Sequence, residues 1–250
     1  MKILCISDAI DPLIYSNNAK KNFPDIDLIL CAGDLPMDYV EFAVSMLNKP
    51  TYFIFGNHDL KDYKYYHGKH YSNTLEMNIS AASRGAVYTG FKVLEIPDFK
   101  IPHQKNKMPT PLLIAGASGS FKYNNGLNQY SNAQMNLKLI KMIPKLILNK
   151  IKYGRYLDIF LTHSPPYKIH DKEDLCHRGF ECFGWFIKKF KPKYMIHGHI
   201  HLYDQREERI TQVEETTIVN AYAHYVLDYE NLSEITKKFK NKDRVNDDKN

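Results

Sequence analysis

Five short apolar runs in this chain each end in residues able to bind a cation or move a proton. The runs are 2–7, 27–32, 51–55, 157–162 and 194–197. They lead into Asp8, Gly33-Asp34, Gly56-Asn57-His58-Asp59, His163 and Gly198-His199-Ile200-His201 respectively. Runs of this length and composition read as buried strands. In open α/β sheets, ligands gather at the carboxyl ends of strands. Carboxylates, an amide and imidazoles brought together out of water are costly unless something satisfies them, and a metal ion does so. Oxygen and imidazole donors without a thiolate suit Mn²⁺, Fe or Zn²⁺ in a reactive site better than a structural Zn²⁺.

The elements that must hold these residues follow from the periodicity. Between the second and third runs, Val40, Ala43, Val44 and Leu47 recur at helical spacing. This strand–helix–strand rhythm predicts a parallel sheet with helices on its faces. In the middle, 86–89, 92–96 and 112–117 read as strands, while 62–80, 97–111 and 118–132 read as loops. Ser131 or Asn132 then caps a helix over about 133–150, which Pro144 is expected to kink or break. A second amphipathic helix spans 180–190, and short strands at 209–213, 217–220 and 225–229 close the domain. There is no internal repeat and no linker, so 1–232 is expected to form one domain, followed by a polar, disordered tail at 233–250.

Taken in order, Gly33-Asp34, Gly56-Asn57-His58-Asp59, His163 followed by Ser-Pro-Pro, and Gly198-His199-Ile200-His201 resemble the motifs of the calcineurin-like metallophosphoesterase superfamily. The resemblance covers about residues 1–230. Gly-Asp alone is weak and Gly-Asn-His-Asp is much more specific; all four in order, each after an apolar strand, make a strong signal. The resemblance implies an α/β fold with a two-sheet β-sandwich core flanked by helices. It also implies hydrolysis of a phosphomonoester or phosphodiester at a two-metal site, with Mn²⁺ favoured over Fe or Zn²⁺. Asp34 would bridge the metals, Asn57, His163 and His199 would complete one site, and Asp8 and His201 would hold the other. A hydroxide between the metals would attack phosphorus in line. His58 would protonate or hydrogen-bond the leaving oxygen, and Asp59 would fix its tautomer.

One motif departs from the pattern. The family's first motif is Asp-x-His, and here Ile10 stands where the histidine belongs, in Asp8-Ala9-Ile10-Asp11. Three outcomes are open: Asp11 serves as a replacement ligand, the site keeps fewer protein ligands, or it is empty. The alternative for Asp11 is a turn residue before Pro12. The polar loop 116–132 is similar to a substrate-side loop of some prokaryotic members, which makes Lys122, Tyr123 and Asn124 candidate substrate-binding residues. His197 reads as a structural histidine, and His170 and Asp171 read as loop polar residues. His177 reads as helix-entry chemistry, with a substrate-facing role as the alternative.

Composition narrows the remaining classes. The 250 residues are 44% hydrophobic and 25% charged, which fits a folded domain with a large core. The net charge of +6 is modest and reads chiefly as solvated surface, with attraction of an anionic substrate as the sharper alternative. The expected substrate is a phosphorylated small molecule or nucleotide. A nucleic-acid partner is not favoured by so modest a charge, and no apolar run is long enough to span a membrane. The chain opens without a secretory h-region, and its four cysteines form no C-x-x-C pair, so reduced thiols and a cytoplasmic location are expected. The competing function class is a metal-poor scaffold that uses the same surface for protein contacts; the missing first-motif histidine is what favours it.

Overall fold

The computed structural model describes residues 1–67, 84–101, 109–204 and 207–230. The strands are β1 (Lys2–Ser7), β2 (Leu28–Cys31), β3 (Thr51–Phe53), β4 (Ala86–Tyr88), β5 (Val93–Ile101), β6 (Thr110–Ala117), β7 (Ser120–Phe121), β8 (Gln129–Tyr130), β9 (Ile159–Thr162), β10 (Tyr194–His197), β11 (Ile210–Val213), β12 (Thr216–Asn220) and β13 (Ala223–Asp228). The helices are α1 (Ala19–Asn22), α2 (Met37–Leu47), α3 (Tyr63–His67), α4 (Asn132–Tyr153) and α5 (Glu181–Phe190).

Two sheets stack face to face. The first has the order β13-β1-β2-β3-β4, and the second β11-β12-β10-β9-β6-β5. β1 through β4 run parallel, with β13 antiparallel against β1. β6, β9, β10 and β12 are likewise parallel, with β5 and β11 antiparallel at the two edges. The α/β sandwich flanked by helices is therefore the architecture observed.

The strands carry apolar residues on both faces because both faces are covered. Successive side chains point to opposite sides. In β1, Ile3 and Cys5 face the inter-sheet core with Leu28, Leu30, Ile114, Ile159, Leu161 and Ile196. Leu4 and Ile6 face outward onto α2 through Tyr39, Val40 and Ala43. The outer face of the second sheet is closed by α4 and α5, where Leu139, Met142, Phe183 and Phe186 pack on Leu113, Phe160 and Met195. Phe183 and Phe186 are fully buried, and each such ring contributes about 1.5–3 kcal/mol.

The structure corrects some local expectations and meets others. α4 runs unbroken through Pro144. Pro144 lies on the solvent side, opposite the buried Met135, Leu139, Met142 and Leu146, so water can take the carbonyl its missing N–H leaves free. Ser131 is the cap: its Oγ accepts from the Gln134 N–H at 3.2 Å, and Gln134 Oε1 accepts the Ser131 N–H at 2.9 Å. β5 extends through Pro97, which the sequence placed in a loop. This is an edge strand with a register shift between Ile96 and Lys100, the setting in which a strand tolerates proline. α3 falls within the loop expected over 62–80, of which 68–80 lies outside the described residues, as do 102–108 of the loop expected over 97–111 and the tail 233–250. The four cysteines are free thiols. Among the described residues, no helix is long and apolar enough to cross a membrane.

Glu95 of β5 ties α4 to the sheet edge. It accepts from Lys152 Nζ at 3.0 Å and from Lys145 and the Tyr153 hydroxyl. Lys145 and then Tyr153 hold its carboxyl down to about 2. The folded value lies below the unfolded one of about 4.3, so the stabilisation is complete above about pH 5 and fades as pH falls toward about 2. Glu95→Gln is expected to lower the unfolding free energy by about 0.5–1 kcal/mol at neutral pH and by less near pH 3. Denaturant titrations giving the same difference at both pH values would contradict the assignment.

Candidate metal centre

The ends of β1, β2, β3, β9 and β10 open onto one edge of the sandwich, and the chain turns sharply after each. Asp8, Asp34 and His199 all adopt left-handed backbone, with φ of 63°, 52° and 67°. That conformation costs an L-residue about 1–2 kcal/mol, and the surrounding hydrogen bonds hold it. Gly56 and Gly198 allow the close approach. A Cβ on Gly56 would collide with Asp34 Oδ1, and one on Gly198 with Asp8 Oδ2.

The imidazoles are oriented by backbone carbonyls. His163 Nδ1–H donates to Ala32 O at 2.8 Å, which turns Nε2 toward Asn57 Oδ1 at 3.2 Å and Asp34 Oδ2 at 3.3 Å. His199 Nε2–H donates to Cys176 O at 2.7 Å, leaving Nδ1 with its lone pair. Ligand atoms of Asp34, His163 and His199 lie within 4.8 Å of one another. Asp34 Oδ1 accepts the His58 N–H at 2.7 Å, and Asp8 accepts the His199 N–H at 3.0 and 2.9 Å through its two oxygens. His201 Nε2 approaches Asp8 Oδ1 at 3.9 Å, while its ring stacks on Tyr222.

The charges identify what is needed there. The Asp8 side chain is only 1% exposed. Burial pushes its carboxyl up to about 6 against the pull of His163, and the like charge of Asp34 adds to the rise. Burial works the same way on Asp34, but the His163 charge and the His58 N–H outweigh it and hold that carboxyl well below the usual range. Burial would lower His163, yet Asp34 and Asp8 raise it to about 9. Burial and the His163 charge drive His199 down to about 3. Two buried carboxylates thus draw positive charge onto the one imidazole between them. A divalent cation supplies that charge better than a proton, so the donor set fits a metal.

The other residues marked by the sequence divide. Asn57, His58 and Tyr123 line a cleft of about 190 Å³ with Asp34, His199 and His201, and Asn57 Nδ2 donates to the Tyr123 hydroxyl at 3.2 Å. Lys122 and Asn124 lie on the exposed side of the same loop, and Asn124 Oδ1 accepts the Gly126 N–H at 2.7 Å. Asp59 is exposed, and among the described residues it makes no hydrogen bond to the His58 ring. Asp11 is turned away from the cleft: Oδ1 accepts the Leu13 N–H at 2.8 Å and Oδ2 pairs with His224. Ile10 is 51% exposed. His197 is buried against His170 at 2.8 Å, a structural pair.

Two features escaped the sequence. Asn128 is buried, donates to Phe55 O at 3.2 Å and Gly56 O at 2.6 Å, and so holds the turn that presents Asn57. Cys176 lines the cleft as well, beside His177, for which the sequence left a substrate-facing role open. For Asn128, the available signal was a polar residue in a long loop between a strand and a helix, which does not distinguish it from its neighbours.

The two-sheet sandwich brings carboxylate and imidazole donors together at its strand ends, a set that fits a divalent cation. The profile described as calcineurin-like phosphoesterase matches residues 1–203, and the chain belongs to that family. In structure it is similar to TT1561 of Thermus thermophilus, at 15% identity and TM-score 0.57, covering 91% of this chain and 94% of that one. A novel archaeal phosphodiesterase matches at 14% identity and TM-score 0.43 over 91% and 93% of the two chains. At these identities the likeness concerns fold. In sequence the chain is 26% identical over 211 residues to a probable rhamnogalacturonate lyase C of Emericella nidulans; the match takes in 80% of this chain and 17% of that much longer protein.

Removing the Asn128 amide should loosen the Asn57 turn without touching a ligand. Asn128→Ala is expected to weaken Mn²⁺ binding by about ten- to a hundredfold in calorimetric titration. Binding as tight as in the wild type would show that the turn holds itself.

Proposed function

We propose that the cleft hydrolyses a phosphomonoester or phosphodiester of a small molecule or nucleotide with two divalent metals, Mn²⁺ favoured. The observation that carries this reading is the convergence of Asp34, His163 and His199 donor atoms within 4.8 Å, beside the buried Asp8. Asp34, Asn57, His163 and His199 would hold one metal, and Asp8, His201 and a shared Asp34 oxygen the other. When bound, the metals supply Lewis acidity toward phosphoryl oxygens and activate water. The second set is poorer than the family pattern, since Ile10 replaces a histidine and Asp11 is engaged with His224. Weaker binding at that position is therefore expected.

The chain's own groups do the rest. His58 stands exposed at the cleft, where its ring can give a proton or hydrogen bond to the leaving oxygen. The Tyr123 hydroxyl accepts from the Asn57 amide, and Tyr123 lines the cleft with His201 and His177. A volume of about 190 Å³ suits the phosphoryl group and a small part of its ester. The free thiols fit a reducing compartment such as the cytoplasm.

Protein purified without chelator, analysed for metals and assayed with Mn²⁺ on bis-p-nitrophenyl phosphate and p-nitrophenyl phosphate, is expected to carry two metals per chain and turn over at least one ester. Metal-free, inactive protein even with added Mn²⁺ would instead support the scaffold reading that Ile10 raises. His58→Ala is expected to lower kcat by about 10²–10⁴-fold with metal content unchanged. Unchanged turnover would remove His58 from the mechanism.

A further inference from the structure

A second convergence of metal-binding atoms lies on the loop between β9 and α5, at the rim of the cleft. Cys176 Sγ lies 2.7 Å from Asp174 Oδ1 and 3.3 Å from His177 Nδ1. His177 Nδ1 in turn lies 2.8 and 2.9 Å from the two oxygens of Asp174. A thiol sulfur, a carboxylate oxygen and an imidazole nitrogen therefore lie within 4.8 Å of one another.

Two kinds of chemistry use these three residue types, and the geometry separates them. In a nucleophilic relay, the histidine presents one nitrogen to the cysteine and the other to the carboxylate, so that a proton passes through the ring. Here both partners meet the same nitrogen, Nδ1. A ring so placed cannot take the thiol proton while donating to the carboxylate. Three donor atoms in mutual contact, with no line through the ring, leave cation binding as the chemistry they can share. Without one, the thiol and the Nδ1–H both donate to Asp174. A cation would displace both protons to solvent and bind the thiolate, the imidazole nitrogen and the carboxylate.

We propose that Asp174, Cys176 and His177 bind a Zn²⁺-class cation, in a site separate from the oxygen and imidazole set at the strand ends. Mixed sulfur, nitrogen and oxygen ligands suit Zn²⁺ and disfavour Mg²⁺ or Mn²⁺. Three protein ligands leave a fourth position for water or an anionic group. Cys176 and His177 line the cleft, so a substrate's distal anionic group is within reach of that position. The loop also touches the main site directly, because Cys176 O accepts the His199 Nε2–H at 2.7 Å. A cation that fixes this loop fixes the orientation of His199 as well.

Sulfur provides a readout that the main site lacks. Co²⁺, used as the spectroscopic stand-in for Zn²⁺, gives an intense near-ultraviolet charge-transfer band only when a thiolate binds it. Cys5, Cys31 and Cys182 are at most 2% exposed, which leaves Cys176 as the accessible thiol. Titration of the reduced full-length protein with Co²⁺ is expected to raise this band, and Zn²⁺ to bleach it. Cys176→Ser should abolish the band and remove one bound Co²⁺ per chain, whereas Cys182→Ser should leave both unchanged. His177→Ala keeps the thiol and should weaken the Co²⁺ binding that gives the band by about tenfold or more. Circular dichroism of each variant checks that it is folded. No band in folded wild-type protein at saturating Co²⁺, or a band that survives Cys176→Ser, overturns the loop site. Because the band reports sulfur alone, a wild type that hydrolyses esters without showing it loses the loop site and keeps the strand-end one.

Discussion

Two buried carboxylates whose negative charge must be matched by positive charge beside them govern this structure. Asp8 and Asp34 lie at adjacent strand ends with little exposure, their side chains 1% and 9% accessible. Their mutual repulsion and desolvation are met by backbone N–H groups of His199 and His58 and by the His163 ring. Each of those donors belongs to another strand end. The site is therefore a junction: the negative charge of the first sheet's edge is held by the loops of both sheets.

The layers exist to keep that junction rigid. Apolar runs with both faces buried fix β1, β2, β9 and β10 in register, and the register fixes which residue arrives first at the edge. The steep turns that follow need left-handed backbone at Asp8, Asp34 and His199, and they need glycine where a neighbour's carboxylate fills the space of a Cβ. Asn128 supports the Asn57 turn from behind by donating to two successive carbonyls. Distortion in any of these turns would reach the ligands directly.

The loops around the cleft are less uniform in purpose. The 116–132 segment sends Tyr123 to the Asn57 amide and turns Asn124 back on itself. The loop before α5 brings Cys176 and His177 to the same cleft and gathers a separate sulfur-containing donor set. At the first motif, the loss of a histidine leaves an exposed isoleucine, while the nearby Asp11 is drawn to His224 on β13.

What the sequence determined by itself is the order of strands and the ligand-type residues that follow them. Asp34, Asn57, His163 and His199 were legible because each stands directly after its own apolar run, and a strand end is a local feature. Local reading also placed a cap at Ser131 or Asn132, between which the structure chose Ser131. What only the tertiary structure decided depends on residues far apart in the chain. Asp11 and His224 are separated by 213 positions, and nothing near Asp11 indicates that its oxygen is already taken. Pro97 sits in a strand because that strand is an edge, and Pro144 sits in a helix because it faces water; sheet order and burial are settled only on folding. Residue type limits what a side chain can bind, and packing selects which partner it meets.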